Sequence, residues 1–310
     1  MAVLICGSFA FDTIMVFQDR FKNHILPEKV HILNVSFQVP KMRREFGGCA
    51  GNIAFNLKLL GGDPLPMGTV GEDFEPYARW MDRHGIPRTH VEVVPGSYTA
   101  QAFITTDMDD NQITAFHPGA MNDSQRARVR DAKNVSLGIV APDGREGMLA
   151  HAREFAEQNV PFIFDPGQGM PLFNGADLER FVAQASYLTL NDYEARLFEE
   201  RTGKPLVQHA KKLRAAVVTK GAEGSEIFAG GERHDIPCVK AKQVVDPTGC
   251  GDAYRAGLLY GIERGLDWPT TGRIAALMGA IKIAHPGTQN HTFEMVEFRD
   301  RFRAEFGYVF

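Results

Sequence analysis

The sequence predicts an α/β fold in which a mainly parallel central sheet is covered by helices on both faces. Short apolar runs rich in Val, Ile and Leu alternate with amphipathic stretches along most of the chain. Strands buried on both faces have this composition, and their alternation with helices is typical of parallel sheets. Two segments break the alternation with closely spaced strand patterns, which predict a small antiparallel β lid.

The elements of the main sheet can be followed in chain order. Buried strands are predicted at AVLICGS, PLPMGTVG, VSLGIVAP, VPFIFDP, ASYLTLN and AAVVTKG. The helices GNIAFNLKLLGG and EPYARWMDRHG each end at glycine, which favours the left-handed conformation that closes a helix. Connections between parallel strands should be right-handed. Ligands bind open sheets of this kind beyond the carboxyl ends of the strands.

The lid is predicted from residues 13–46 and 90–117. The first segment contains the strand-like runs TIMVFQ and NVSFQV, and the second contains HVEVV, YTAQAFITT and QITAFHP. We expect a single domain over residues 1–310, with these strands covering the ligand-binding edge of the sheet. Such lids exclude water and often move during turnover.

Bulk properties exclude several classes of protein. The chain has 310 residues, a formal net charge of −4 and 44% hydrophobic residues. This charge does not favour nucleic acid or an anionic membrane as partner. The four cysteines are scattered, as suits a reducing compartment. The N-terminus lacks a basic leader and no apolar run is long enough to cross a bilayer, so we expect a cytoplasmic protein.

The segment DPTGCGDAYRAG joins an apolar strand to a glycine-rich turn and a helix. Backbone amides of Gly249, Cys250, Gly251 and Asp252 would point out of the helix N-terminus and bind an anion. Asp252 could then act as a base that takes the proton from a substrate hydroxyl. The alternative is that Asp252 is only a favourable first-turn acid and that the glycines only allow a tight turn.

Two further segments predict contacts to a substrate. In REFGGCAGNIAFN, Gly47, Gly48 and Gly51 permit close approach, and Asn52 could bind a ligand hydroxyl, although a helix-capping role would explain it alone. Asp12 follows the first strand and could accept two vicinal hydroxyls, or be a plain turn residue. Neither glycine-rich segment has the spacing of a Walker A loop or a dinucleotide fingerprint.

Two more segments predict contacts to a nucleotide. In TLNDYEARLF, Asn191 and Glu194 are three residues apart and could organise a hydrated Mg²⁺, or form a capping box. In VVTKGAEG, Thr219, Gly221 and Gly224 at a strand end suit a nucleotide phosphate or ribose, although a plain hairpin turn would look similar.

Taken in this order, the motifs resemble those of the ribokinase-like (PfkB) family of carbohydrate and nucleoside kinases. The resemblance rests on Asp12, GGCAGN, NDYE, TKGAEG and DPTGCGD, and it covers nearly the whole chain. It implies a ribokinase-like fold and Mg·ATP-dependent transfer of a phosphoryl group to a substrate hydroxymethyl group. Alanine is frequent in the family where this chain has Cys250.

The resemblance also implies roles for individual residues. Asp252 would be the catalytic base, with an anion hole at Gly249, Cys250 and Gly251. ATP would be bound by Asn191, Thr219, Gly221, Gly224, Gly249 and Gly251. Glu194 and Asn191 would hold Mg²⁺ through water. Potassium is a further ion that the family often binds, here near Asp246 and Thr248.

Within the family, the chain is most similar to bacterial-type adenosine kinases. The supporting strings are GSFAFD, RF…LPE…H…VSF, GGCAGNIAF, TTDMDDNQITAFHPGAM and DPTGCGDAYRAG. The likeness implies phosphorylation of the 5′-hydroxyl of adenosine to give AMP, a role in purine salvage, and a homodimer formed through the lid. Substrate would be bound by Ser8, Asp12, Gly48, Asn52, Phe116, Gln168 and Asp252.

The sequence departs from the adenosine kinase pattern at the base pocket. Ala102 stands where those kinases have an aromatic residue, with Phe103 next along the strand, and Gly169 stands where a glutamine pair is usual. A kinase for another nucleoside, such as inosine or guanosine, or for ribose or fructose, is therefore an alternative. A non-catalytic nucleoside-binding protein is an alternative from another class.

Overall fold

A computed structural model describes residues 2–25, 32, 34–109 and 111–310. The strands, in chain order, are β1 (Ala2–Cys6), β2 (Ala10–Val16), β3 (Lys41–Gly47), β4 (Pro64–Val70), β5 (His90–Val93), β6 (Ala100–Thr106), β7 (Gln112–His117), β8 (Val135–Val140), β9 (Phe162–Phe164), β10 (Tyr187–Asn191), β11 (Ala215–Thr219), β12 (Ser225–Ala229) and β13 (Glu232–Ile236).

The helices connect these strands and cover the sheet. In chain order they are α1 (Cys49–Leu59), α2 (Glu75–Arg83), α3 (Arg145–Glu157), α4 (Gly175–Gln184), α5 (Asp192–Thr202), α6 (Leu206–Ala210), α7 (Cys250–Glu263), α8 (Trp268–Lys282) and α9 (Met295–Phe306). Among the described residues, no helix is both long and apolar enough to cross a membrane.

The main sheet has nine strands in the order β13-β12-β11-β10-β9-β8-β1-β4-β5. All pairings from β11 to β5 are parallel, and only the hairpin strands β12 and β13 add antiparallel pairings. Successive residues of β1 enter different cores, with Val3 and Ile5 in one and Leu4 and Cys6 in the other. The prediction of a mainly parallel sheet with both faces covered is confirmed.

The predicted small sheet is also present, with four strands in the order β3-β2-β6-β7. The β2–β3 and β6–β7 pairings are antiparallel, whereas the central β2–β6 pairing is parallel. Because β2 and β6 pair in parallel, they leave the body of the protein in the same direction. We call this four-stranded sheet the lid.

Two of the predicted lid strands are corrected by the structure. HVEVV forms β5, which pairs in parallel with β4 at the edge of the main sheet because α2 connects the two as a crossover. NVSFQV forms no strand, and β3 begins only at Lys41. Its alternating pattern reflects packing of Phe37 on Phe17 and Phe21. The LPE…H part of the adenosine kinase resemblance lies in residues 26–31, outside the described residues.

Candidate active site

The N-termini of α1 and α7 meet at the carboxyl edge of the main sheet. Asn52 of α1 donates a hydrogen bond of 2.8 Å from its Nδ2 to Oδ2 of Asp252, in the first turn of α7. The two residues are 200 positions apart in sequence. Asn52 therefore does not cap its own helix, and Asp252 is more than a dipole-favoured acid, because each side chain holds the other.

A buried chain of hydrogen bonds fixes Asn52 from behind. Gln289 donates from Nε2 to Asn52 Oδ1 at 2.9 Å and to the Tyr77 hydroxyl at 2.6 Å. Tyr77 donates in turn to the Gly47 carbonyl at 2.9 Å, and Trp80 donates to Gln289 Oε1 at 2.9 Å. With its oxygen accepting from Gln289, the Asn52 amide must present its NH₂ group to Asp252.

The carboxyl group of Asp252 is suited to act as a base near neutral pH. Burial raises its pKa to about 6, the hydrogen bond from Asn52 acts to lower it, and the charge of Asp165 raises it further. Part of the residue still reaches the surface of the site. A base with a pKa slightly below the working pH is ionised yet basic enough to take a hydroxyl proton.

The turn before α7 offers backbone amides beside Asp252. Gly249 has φ = 78°, in the left-handed region that favours glycine, and begins the helix. The first hydrogen bond within α7 runs from the Ala253 amide to the Gly249 carbonyl. The amides of Gly251 and Asp252 come before this bond in the chain, so they have no carbonyl partner one helical turn back. The Cys250 amide is less available than predicted, because it donates to the Pro247 carbonyl at 3.1 Å.

Asp246 organises the loop that leads into this turn. Its Oδ1 accepts from Thr248 N and its Oδ2 from Gly287 N, both at 2.9 Å. These bonds hold its pKa below the ordinary value although burial acts to raise it. A potassium ion at Asp246 and Thr248 stays a prediction.

Asp12 lies at the base of the lid. The α-carbon of Gly47 faces it so closely that a Cβ there would lie 2.6 Å from Asp12 Oδ2. Burial, then the nearby charges of Glu45 and Asp246, raises the pKa of Asp12 to about 6. A carboxylate in this setting gains from hydrogen-bond donors, which substrate hydroxyls can supply.

Gly48 and Ser8 shape the floor beside Asp12. Gly48 has φ = 84°, and a Cβ there would lie 2.5 Å from the Ser8 carbonyl oxygen. The Ser8 hydroxyl accepts from the Cys49 amide at 3.2 Å, so it satisfies the start of α1 and can still donate its proton. Both predicted substrate residues thus lie beside the first turn of α1, next to Asn52.

Register places Phe116 on the same face of the lid as Asp12. Asp12 pairs with Ala102, and Ala102 pairs with Phe116. Paired residues project to the same face, and the neighbouring residue Phe103 projects to the other. Phe116 is 54% exposed in this structure, so its ring has surface available for a ligand.

Gln168 lies apart from these residues, in a short 3₁₀ turn (Gly167–Leu172) that follows β9. Its side chain is exposed and Gly169 is buried behind it. A Cβ at Gly169 would make only ordinary contacts with Met148 and Phe173. The position of Gln168 at the carboxyl end of β9 is compatible with the predicted contact to a base, which stays a prediction.

A cavity of about 410 Å³ adjoins the turn before α7. Its lining includes the predicted nucleotide residues Thr219, Gly221, Gly224 and Gly251 and the predicted anion-hole residue Cys250. Apolar residues of α8 and the 238–247 loop complete it. This volume suits a small-molecule ligand such as a nucleotide. The predicted nucleotide turn and the predicted anion hole therefore share one cavity.

Asn191 and Glu194 form the capping box that was the alternative explanation of their spacing. Asn191 Oδ1 accepts from Glu194 N at 2.7 Å, and Glu194 accepts from Asn191 N and Nδ2 at 2.8 Å each. Burial raises the pKa of Glu194. Each carboxylate oxygen keeps a further lone pair, so the pair fits water-mediated binding of Mg²⁺ better than direct ligation.

Three charged residues of the site were not singled out in the sequence. Asp165, after β9, accepts two hydrogen bonds of 3.0 Å from Arg255 of α7, and both residues are buried. Lys282 reaches the Asp246 carbonyl at 2.7 Å from the end of α8. Arg255 follows Asp252 by one helical turn, a signal that could have been used. Nothing in the sequence around Lys282 indicates its contact.

Together, the partly buried carboxylate of Asp252, the helix N-terminal amides and the adjoining nucleotide-sized cavity suit a phosphotransferase that acts on a hydroxyl group. The family model described as pfkB family carbohydrate kinase matches residues 11–294. The chain therefore belongs to the pfkB family of carbohydrate kinases, and its fold is ribokinase-like.

Among its relatives are several nucleoside kinases. The nucleoside kinase of Methanothermobacter thermautotrophicus is 32% identical over 99% of this chain and 97% of its own length. A solved structure of Burkholderia thailandensis nucleoside kinase in complex with inosine is 53% identical, with a TM-score of 0.90 over 99% of both chains. Another structure of that kinase is a complex with ADP-inosine, 54% identical, with a TM-score of 0.88 over 99% of this chain and 97% of that one.

Replacing Asn52 by alanine should change the pH dependence of the reaction. The hydrogen bond from Asn52 lowers the pKa of Asp252. Its loss should move the acidic limb of the kcat/KM profile to higher pH, by about one unit. The wild-type enzyme should lose activity as the pH falls through about 6. An unchanged acidic limb in Asn52→Ala would show that the hydrogen bond does not tune the base.

Proposed function

We propose that this kinase transfers the γ-phosphoryl group of ATP to the 5′-hydroxyl of a purine nucleoside. Adenosine, which would give AMP, and inosine are the two leading acceptors. The observation that carries the proposal is the row across the lid in which Asp12, Ala102 and Phe116 share one face. One sheet thereby offers a carboxylate for ribose hydroxyls and an aromatic ring for a base.

The reaction follows from the groups at the start of α7. Asp252 accepts the proton of the 5′-hydroxyl as the oxygen attacks the γ-phosphorus. The new O–P bond forms while the bond to the β-phosphate oxygen breaks, and ADP leaves. The amides of Gly251 and Asp252 face the charge on the transferred group, and Mg²⁺ would supply further charge neutralisation when bound. Glu194 and Asn191 would hold that ion through water.

The ribose would be held between the lid and the start of α1. Asp12 would accept from two vicinal hydroxyls, with Gly48, Ser8 and Asn52 completing the pocket. Asn52 would then contact both the ribose and Asp252, the proposed catalytic base. The position of the sugar and the transfer of the proton would therefore be coupled through one side chain.

Adenosine and inosine differ only at the purine ring. The lid offers few polar groups there that could distinguish the two rings. Phe116 offers a ring face, which stacks on any base, and Ala102 leaves room beside it. Gln168 is the predicted polar contact and can donate or accept. The similar kinase of Burkholderia thailandensis has been solved in complex with inosine, which supports inosine as an acceptor alongside adenosine.

We also propose a homodimer formed through the lid. Its outer face exposes apolar side chains, including Met42 at 69% and Phe103 at 41%. Light scattering should give twice the chain mass if the proposal holds.

A panel of acceptors tests the proposal directly. ADP release from Mg·ATP would be measured with adenosine, inosine, guanosine, ribose and fructose. We expect turnover with adenosine or inosine and at most weak turnover with the free sugars, because these lack a base for Phe116. Preference for ribose or fructose would overturn the nucleoside assignment and leave the phosphoryl-transfer site intact.

Replacing Asp252 by asparagine should abolish most catalysis without unfolding the protein. The amide oxygen can still accept from Asn52, so the two helix starts stay joined. We expect kcat to fall by about a hundredfold or more, with ATP binding retained. Glu75→Gln, at an exposed acid in the first turn of α2, is the matched control and should keep wild-type activity. Near-normal turnover in Asp252→Asn would rule out its role as base.

Truncating Phe116 should weaken nucleoside binding selectively. Loss of base stacking amounts to about 1–3 kcal/mol, so KM for the nucleoside should rise about five- to 150-fold in Phe116→Ala. Val296→Ala is the control, since it truncates an exposed apolar side chain of α9, outside the lid and its proposed dimer face. Equal KM changes in both variants would refute stacking on Phe116.

A further inference from the structure

Lys282 is a buried cation whose hydrogen-bond partners are main-chain carbonyls. It is the last residue of α8 and is fully buried, with 0% of its surface exposed. Its Nζ donates to the Asp246 carbonyl at 2.7 Å and lies 3.4 Å from the His285 carbonyl. In the described part of the chain, the hydrogen-bond partners of Nζ are these uncharged carbonyl oxygens, not carboxylates. Such a buried ammonium is costly unless its position is useful.

The contact falls where the chain enters the phosphoryl-transfer loop. Asp246 already binds Thr248 and Gly287 through its carboxylate. Its amide donates to the Ile283 carbonyl at 3.1 Å. Lys282 makes the short bond to the Asp246 carbonyl, which the Cys250 thiol approaches only at 4.0 Å. Lys282 therefore fixes the orientation of the peptide group that leads to Pro247 and Gly249.

We propose that Lys282 is a positioning residue that acts as a built-in cation for the transfer loop. Its ammonium occupies the place at the Asp246 carbonyl that a monovalent metal ion would otherwise take. The wild-type enzyme therefore needs no potassium for turnover, contrary to the expectation from family resemblance. The inference concerns the transfer step common to these kinases and does not depend on which nucleoside is the acceptor.

Charge and geometry agree with this role. Potassium and ammonium have similar sizes and both bind carbonyl oxygens, and two cations on one carbonyl would repel each other by Coulomb's law. Burial lowers the pKa of Lys282, whereas the neighbouring Cys250 thiol and the carboxylates of Asp246 and Asp252 act to raise it. Both contacted atoms are acceptors, so the side chain must act as a donor.

The competing explanation is purely structural. A lysine in the last turn of a helix stabilises the carbonyl end of that helix. Under that explanation, Lys282 would affect the stability of α8 but cations in the buffer would not affect turnover. Cation dependence of kcat therefore separates the two roles.

The wild-type enzyme is measured first, with the best acceptor of the panel, in potassium, sodium or tetramethylammonium chloride at equal ionic strength. We expect kcat to agree within about twofold among the three salts. Strong stimulation by potassium would overturn the proposal. If no acceptor is turned over, the proposed function fails, and the affinity for ATP in the same salts is compared instead, where potassium dependence would overturn the inference.

Two substitutions then test the ammonium itself. Lys282→Ala opens a carbonyl-lined gap, and kcat should fall about ten- to hundredfold in tetramethylammonium and recover with added potassium or ammonium ions. Lys282→Met fills the space without charge and should show the loss without recovery. Lys58→Ala removes an exposed lysine from the last turn of α1 and should behave as wild type.

The outcomes separate clearly. Recovery specific to small monovalent cations in Lys282→Ala supports the built-in cation. Unchanged kcat in both folded variants, or a loss that no cation reverses in either, overturns it. If neither variant folds, the salt comparison on the wild-type enzyme decides.

Discussion

The hydrogen bond between Asn52 and Asp252 joins the two halves of the active site. Asn52 belongs to α1, which begins directly after the lid strand β3, and Asp252 belongs to α7, which begins after the phosphoryl-transfer loop. The network of Gln289, Tyr77 and Gly47 extends this link to the base of the lid. The position of Asp252 is therefore defined relative to the proposed sugar pocket as well as to the proposed nucleotide cavity.

The site concentrates negative charge and balances it with fixed positive groups. The pKa values of Asp12 and Asp252 are both raised to about 6, with burial as the main cause. Arg255 neutralises Asp165 through a bidentate contact one helical turn beyond the base. The start of α7 can still accept a further anion, because backbone amides face it there.

Sequence patterns predicted the layers of the fold and singled out most residues of the candidate site, but they did not show how those residues pair. The strands of the main sheet were visible because buried parallel strands are continuously apolar. HVEVV was misplaced because periodicity does not identify the partner of a strand. Asn52 and Asp252 were both found, yet their bond depends on helices 200 residues apart. Lys282 and Gln289 were missed because their roles arise from burial next to distant loops.

The groups proposed for phosphoryl transfer lie in the main body of the protein, whereas those proposed to select the acceptor lie in the lid. The structure therefore constrains the phosphoryl-transfer site more than the acceptor site. Asp252 and the neighbouring backbone amides lie at helix N-termini, whose geometry is set by the main sheet and its helices. The residues proposed to face the purine ring lie on lid strands. There each side chain is independent of the next, because neighbours point to opposite faces. Ala102 can therefore differ from the adenosine kinase pattern while the geometry around Asp252 stays unchanged.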